Sequence, residues 1–401
     1  MRKPVTLIIL LTVSLLLYII LVGLGDLRNK IEYYLLIFGF LFAIYMTLVI
    51  LAFRSKNNLP VHWIWFLIVA LLSRLVLLPA SPTLSYNVAG FLGSREIILL
   101  VKILLLMVET VLVFFLIRLL QYFSLNTHRL IIFLFNPLLI IETYYNSHLE
   151  IIAAMFLWLA IFAFYRQNNR FTFAGILLSV IVKPFSFIMA IPFLFKRFWQ
   201  KFVPLLIIAV VILFIFSMHG TFSRTEFLPD LEPEIFHGAI FKSITYLIDI
   251  SSLPERKIVM DSSMNLNVDS TFYYIFLALL VIILITLDQM RKLKPTSHYR
   301  SVNYLQASFI LTGTGILLLP QLPPSYLIAI IPFLLFLPNW SWLCFTCLIQ
   351  ISYYALKVYA HTGGWHNLHW ILLLIYIPFY SLLIWEYFDR RQIKGWFLNK
   401  Y

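Results

Sequence analysis

The side chains best suited to chemistry fall in one short run, Glu142-Thr-Tyr-Tyr-Asn146-Ser147-His148-Leu-Glu150. Two carboxylates and an imidazole within nine residues can accept, hold or pass a proton. A simpler reading exists for part of the run: Ser147 and Glu150 fit the S-x-x-E capping box that starts many helices. That box accounts neither for His148 beside it nor for Glu142 one turn before Asn146, so the run is more polar than a cap requires.

Five other ionisable residues interrupt apolar stretches: Arg74, Lys102, Glu109, Lys183 and Lys357. A charge at the centre of a bilayer costs about 2.5–3.5 kcal/mol or more, so such residues pair, snorkel or line a cavity. Lys102 and Glu109 are seven apart, share a helix face and are expected to form an internal ion pair. Arg74 and Lys357 lie near helix ends, where snorkelling to the interface is an equal alternative to function. Most of these groups sit toward the same ends of their segments, where they could form one mixed acidic and basic site.

The elements that position them are membrane helices. The 401 residues are 62% hydrophobic and only 12% charged, against about 25% charged in soluble domains. The expected fold is all-α, a polytopic transmembrane helical bundle in a single integral membrane domain over 1–401. About 11–14 membrane segments are expected, near 4–25, 33–54, 61–80, 97–120, 129–146, 148–166, 201–218, 270–289, 304–320, 325–337, 340–358 and 369–386, with a hairpin at 172–195 broken at Lys183-Pro184. The first segment is too long and lacks the cleavage site of a signal peptide, and is expected to remain as a helix.

With both termini cytoplasmic, nineteen of the thirty Lys and Arg face that side and seven the other, which decides the orientation. The net charge of +13 follows from this bias and from contact with anionic membrane lipids, without nucleic acid as a partner. Residues 219–269 form a non-cytoplasmic loop with eight of the seventeen acids. Its Phe236, Ile240, Ile244, Leu247 and Ile248 recur at helical spacing, which suits either an interfacial helix or a packed loop helix. Cys344 and Cys347 share one helix face in an apolar segment and read as packing residues.

A resemblance gathers several of these features. Asn136-Pro137-Leu-Leu-Ile-Ile-Glu142, then Asn146-Ser147-His148-Leu-Glu150, Tyr165-Arg166, Ala174-Gly175-Ile-Leu-Leu-Ser and Val182-Lys183-Pro184-Phe185 resemble the central part of GT-C fold polyprenyl-phosphate-sugar-dependent glycosyltransferases, the bacterial mannosyltransferases in particular. The likeness spans roughly 61–200 and rests on about eight distinctive positions. It implies a GT-C fold in the bacterial inner membrane and transfer of a hexose from a polyprenyl-phosphate donor to a lipid or glycan acceptor at the non-cytoplasmic face. It also implies that His148 and Glu150, with Glu142 near them, lie at the catalytic site. Lys183 and Arg74 would face the phosphate, with Asn146 and Tyr326 as further substrate contacts. Such chemistry needs a base for the acceptor hydroxyl and cations for the leaving phosphate.

The chain departs from that family at two places. Ser81-Pro-Thr-Leu-Ser85-Tyr86-Asn87-Val-Ala-Gly90 carries no acid where the family places its catalytic carboxylate, and Gln321-Leu-Pro323-Pro324-Ser325-Tyr326 replaces a His-Pro-Trp-Tyr-like segment. Glu150, Glu142, Glu96 or a carboxylate of the loop 219–269 would then serve as base. A non-catalytic subunit binding lipid-linked sugar, or a lipid or solute transporter, remains the alternative. No phosphate-binding loop of the G-x-x-x-x-G-K-[ST] type occurs; no cofactor is certain, and a divalent metal is possible but unsupported, since His148 with Glu150 supplies too few ligands for a closed site.

Overall fold

A computed structural model of the chain describes residues 3–25, 27, 30–54, 63–80, 95–194, 240, 268–292, 300–319, 322–355, 357–358 and 369–398. Regular structure among the described residues is entirely helical. Helices α1 (Lys3–Gly23), α2 (Ile31–Arg54), α3 (Trp63–Leu77) and α4 (Arg95–Tyr122) are followed by α5 (Glu150–Tyr165) and α6 (Asn169–Val182). Then come α7 (Val268–Lys292), α8 (Arg300–Leu317), α9 (Trp340–Leu348) and α10 (His369–Leu398).

Among the described residues four stretches are long and apolar enough to cross a membrane: Thr6–Gly23, Ile31–Phe53, Glu96–Tyr122 and Trp370–Asp389. A fifth is added if the pair Pro137–Tyr145 and Glu150–Tyr165, bent by 120°, counts as one span. Each of the four buries about a third of its residues or fewer, and Leu100, Met107, Phe114 and Ile377 stand exposed on their flanks. Water would penalise such a surface and hydrocarbon does not, so the chain is a membrane protein.

Several expected segments differ from straight spans. The stretch 129–146 is cut at Asn136-Pro137, where the Asn136 side chain accepts from the N–H groups of Leu138 and Leu139 at 3.1 and 3.3 Å and Pro137 opens a new helix. The stretch 325–337 is a 3-10 turn and a four-residue helix, each with proline in its first turn. The stretch 340–358 begins as α9 but tightens to a 3-10 turn at Ile349–Tyr353. The segment 201–218 and nearly all of the loop 219–269 lie outside the described residues, as does its expected helix at 236–248 apart from Ile240.

The break at Lys183-Pro184 falls where the sequence puts it. Lys183 is extended, φ −146° and ψ 104°, because proline disfavours helix in the residue before it, and α6 stops at Val182. The chain divides there into two compact units, Met1–Pro184 with Pro323–Tyr401, and Phe185–Leu322.

In the first unit α5 packs between α4 and α6. Phe115 of α4 meets Phe162 of α5 at 5.5 Å between ring centroids, and the Trp158 ring stacks on Phe336 at 5.2 Å. Helix α6 approaches α5 so closely that a Cβ on Gly175 would lie 2.8 Å from the Phe156 carbonyl oxygen and 2.9 Å from Ala160 Cβ. Gly175→Ala is therefore expected to destabilise the protein by about 1–3 kcal/mol, the usual range for overpacking. Denaturation midpoints in detergent check this against Gly315→Ala, where the nearest atoms are side-chain carbons of Phe185 and Ile188 at 3.1–3.3 Å rather than backbone, and a smaller loss is expected.

In the second unit α7 packs on α8, and residues 186–194 lie against α8. Ser308 donates to the Met189 carbonyl at 2.9 Å, and Ile191 and Leu311 form a small core with Phe187, Ile188 and Ile285 around it.

The last helix of the first unit supplies an unexpected cap. Buried Glu386 of α10 accepts from the backbone N–H groups of Trp340 and Ser341 at 2.7 and 3.3 Å and from the Ser341 hydroxyl. Its carboxylate thus sits on the positive end of α9, alongside the Asn339 N-cap that accepts from Trp342 at 3.0 Å.

Candidate functional site

The polar run forms a strained turn between two apolar segments. Residues Ile141–Tyr145 are wound as a π-helix, a form concentrated at functional sites. Ser147 follows at φ 63°, a left-handed conformation that non-glycine residues seldom adopt. Together they produce the 120° bend, after which α5 starts at Glu150. The His148 N–H donates to the Glu142 carbonyl at 3.0 Å, which ties the histidine backbone across the bend.

The expected capping box is not formed. The residue before α5 is Leu149, whose side chain caps nothing, and the Ser147 hydroxyl is buried without a hydrogen-bond partner. A capping serine needs extended backbone directly before the helix, whereas Ser147 is left-handed and two residues too early. Glu150 is consequently free to turn its carboxylate elsewhere.

It turns to two residues from distant segments. Lys183 Nζ lies 2.7 Å from Glu150 Oε1, and the Ser325 hydroxyl donates to the same oxygen at 3.0 Å. Lys183 also stands 4.5 Å from the ring centroid of Tyr326. The break before Pro184 and the 3-10 turn Pro324–Ala329 deliver these side chains, so the two proline sites place the cation and its neighbours.

Glu142 occupies the other side of His148 and is wholly buried. Its Oε1 accepts from Gln350 Nε2 at 2.8 Å, Tyr353 OH lies 3.0 Å from both carboxylate oxygens, and Asn146 Nδ2 donates to Oε2 at 3.1 Å. Tyr34 of α2 extends the network by donating to Gln350 Oε1. The imidazole lies between the two acids, Nε2 3.5 Å from Glu142 Oε2 and Nδ1 3.8 Å from Glu150 Oε2. His148 and Lys183 are the partly open members, with side chains 23% and 31% exposed, while both carboxylates are buried.

The structure therefore brings Glu142, Asn146, His148, Glu150, Lys183 and Tyr326 into one continuous polar group. Arg74 is not part of it. Its guanidinium is buried and clamps Glu109 with two bonds, Nη2 to Oε1 at 2.7 Å and Nε to Oε2 at 3.1 Å. Nη1 is spent on the Ala70 carbonyl and Ser73 hydroxyl at 2.9 and 3.1 Å, and Tyr144 OH donates to Glu109 Oε2. Neither snorkelling nor a phosphate contact fits a fork already filled in this way.

The expected Lys102–Glu109 pair is likewise replaced. Lys102 donates to the carbonyls of Leu77 and Ala80 at 3.1 and 2.6 Å, satisfying oxygens released where α3 ends. A seven-residue separation puts both on one face but two turns apart, and the shorter reach across to α3 prevails in each case. Lys357 pairs with Glu32 at the start of α2 and remains a quarter exposed.

Among the described residues no group of three or more His, Cys, Asp and Glu could hold a metal ion. Cys344 and Cys347 are free and half-buried in α9. The acid-free stretch Ser81–Gly90 lies outside the described residues, and Glu96 is exposed in the first turn of α4. Sequence reasoning missed Ser325, Gln350, Tyr353 and Tyr34. The one signal for them is polarity at positions inside otherwise apolar segments, as at Gln350. Compared with known protein families, with characterised proteins and with solved structures, the chain matched none.

Proposed function

We propose that this chain is a membrane glycosyltransferase that moves a hexose, mannose by the resemblance, from a polyprenyl-phosphate donor to a hydroxyl of a lipid or glycan acceptor at the non-cytoplasmic face. The observation that carries the reading is the Lys183–Glu150 pair, 2.7 Å apart, with a partly exposed lysine beside His148. A cation held by an internal carboxylate can exchange that partner for the phosphate of an entering donor. It then faces the charge that grows on the phosphate as the glycosidic bond breaks. The imidazole and the released carboxylate lie on the same side as proton acceptors for the acceptor hydroxyl. Tyr326 offers its ring to the lysine in the resting state and a polar edge to the sugar.

The test is purified protein presented with a panel of polyprenyl-phosphate sugars and lipid acceptors, scored for labelled product. Replacing both candidate acceptors, His148→Ala with Glu150→Gln, is expected to lower transfer by about 100-fold or more, the range for a positioned base. Full activity in that variant would sink this placement of the site. One observation favours a second reading, a subunit that binds lipid-linked sugar without catalysis: both carboxylates already carry internal partners. Tight donor binding with no product from any acceptor would support that reading instead.

A further inference from the structure

Three proton acceptors meet at the bend, and their hydrogen bonds distinguish them. Glu142 is wholly buried, and an amide or phenol donor engages each of its oxygens. Glu150 is buried too, and its Oε1 holds both Lys183 and Ser325. His148 alone of the three has an open side chain, and neither of its ring nitrogens lies within 3.5 Å of a carboxylate oxygen except Nε2, at that limit. The Ser147 backbone at φ 63° and the bond from the His148 N–H to the Glu142 carbonyl fix where the imidazole emerges.

We propose that His148 is the general base of the transfer and Glu142 its positioning residue, holding the ring through Nε2 so that Nδ1 meets the acceptor hydroxyl. This rests on the glycosyltransferase reading and goes beyond it, because it takes the base away from Glu150 and leaves that residue as the resting partner of Lys183. Of the two flanking carboxylates Glu142 is the nearer, 3.5 Å from Nε2 against 3.8 Å from Nδ1 to Glu150, and Glu150 Oε1 is held by Lys183 and Ser325, so the hydrogen is placed on Nε2 and the lone pair on Nδ1. The present 3.5 Å separation is long for a hydrogen bond, and such contacts tighten when substrate closes the site. Gln350, Tyr353 and Asn146 hold the Glu142 carboxylate rigid for this task.

The step balances without any further reagent. Nδ1 takes the proton of the acceptor hydroxyl, and the oxygen pair so freed forms a bond to the anomeric carbon of the donor sugar. The bond from that carbon to the phosphate oxygen breaks, and its electron pair remains on the phosphate, opposite Lys183. The imidazolium, flanked by Glu142 and Glu150, releases its proton to water before the next cycle.

Steady-state transfer and donor binding by the full-length protein test the proposal. His148→Ala is expected to lower kcat by about 100-fold or more with donor affinity within about threefold, and added imidazole to restore part of the rate. Glu142→Gln preserves shape and is expected to lower kcat by about 10-fold or more, yet to cost little when added to His148→Ala, because it acts through the ring. Should Glu142→Gln fail to fold, Tyr353→Phe removes one of its donors and is expected to lower kcat in the same direction without altering donor affinity. Fully additive losses, or a fully active His148→Ala beside an inactive Glu150→Gln, would return the base to Glu150 and overturn the proposal. No transfer by the unmodified protein with any substrate overturns both it and the glycosyltransferase reading.

Discussion

Arg74→Met is expected to destabilise the protein by about 3–5 kcal/mol, the cost of stranding one member of a buried ion pair. Glu109 would then keep only the Tyr144 hydroxyl, inside a membrane segment with no water to replace the guanidinium. The cost should come from the stranded charge rather than from any attraction the pair supplies. Arg74→Met with Glu109→Met is accordingly expected to recover most of the loss. Adding Tyr144→Phe should recover more, since that hydroxyl would otherwise remain buried without an acceptor, at about 1–3 kcal/mol. Reversible unfolding in mixed micelles measures all three. A single variant within about 1 kcal/mol of the parent would show that Glu109 finds another partner or takes up a proton cheaply.

Lys183→Ala is expected to weaken donor binding by about 30-fold or more, corresponding to the 2–5 kcal/mol range for truncating one side of a desolvated charge pair. The comparison is Lys257→Ala in the stretch 219–269, which the sequence reads as a charged external loop; lysines in such loops are screened by solvent and salt, so a change within about twofold is expected. Binding of a polyprenyl-phosphate sugar to protein in detergent reads both. Equal losses would reject Lys183 as a phosphate ligand. Lys183→Ala also removes the charged partner of Glu150 and leaves Ser325 as a side-chain donor to it, so the melting temperature must be followed alongside affinity. Lys183→Arg, which keeps the charge and the pair with Glu150, separates the two effects: a folded arginine variant that binds donor places the loss on charge.

Much of the frame was legible from local chemistry. The helix stop at Lys183 follows from proline alone, and the closeness of Glu142, His148 and Glu150 is visible in the sequence as one short polar run. Pairing across helices was not legible. Spacing on one helix suggested Lys102 with Glu109, yet Arg74, 35 residues away, offers a fork that matches both carboxylate oxygens. The capping box failed for a backbone reason, the left-handed Ser147, which sequence motifs do not report. Gln350 and Tyr353 reach Glu142 from 208 and 211 positions away, and in an apolar segment a lone glutamine gives no hint of which acid it serves.

Glu386 has a bearing on the order in which the chain can be completed. The N–H groups at the head of α9 receive their carboxylate from a residue made 46 positions later than Trp340. When α9 first leaves the ribosome its opening turn has only Asn339 to satisfy it, and an unsatisfied backbone donor in hydrocarbon costs several kcal/mol. The opening turn of α9 is therefore fully satisfied only once α10 packs beside it. A chain ending before residue 386 lacks that carboxylate and is expected to lose protection of the Trp340 and Ser341 amides against hydrogen exchange.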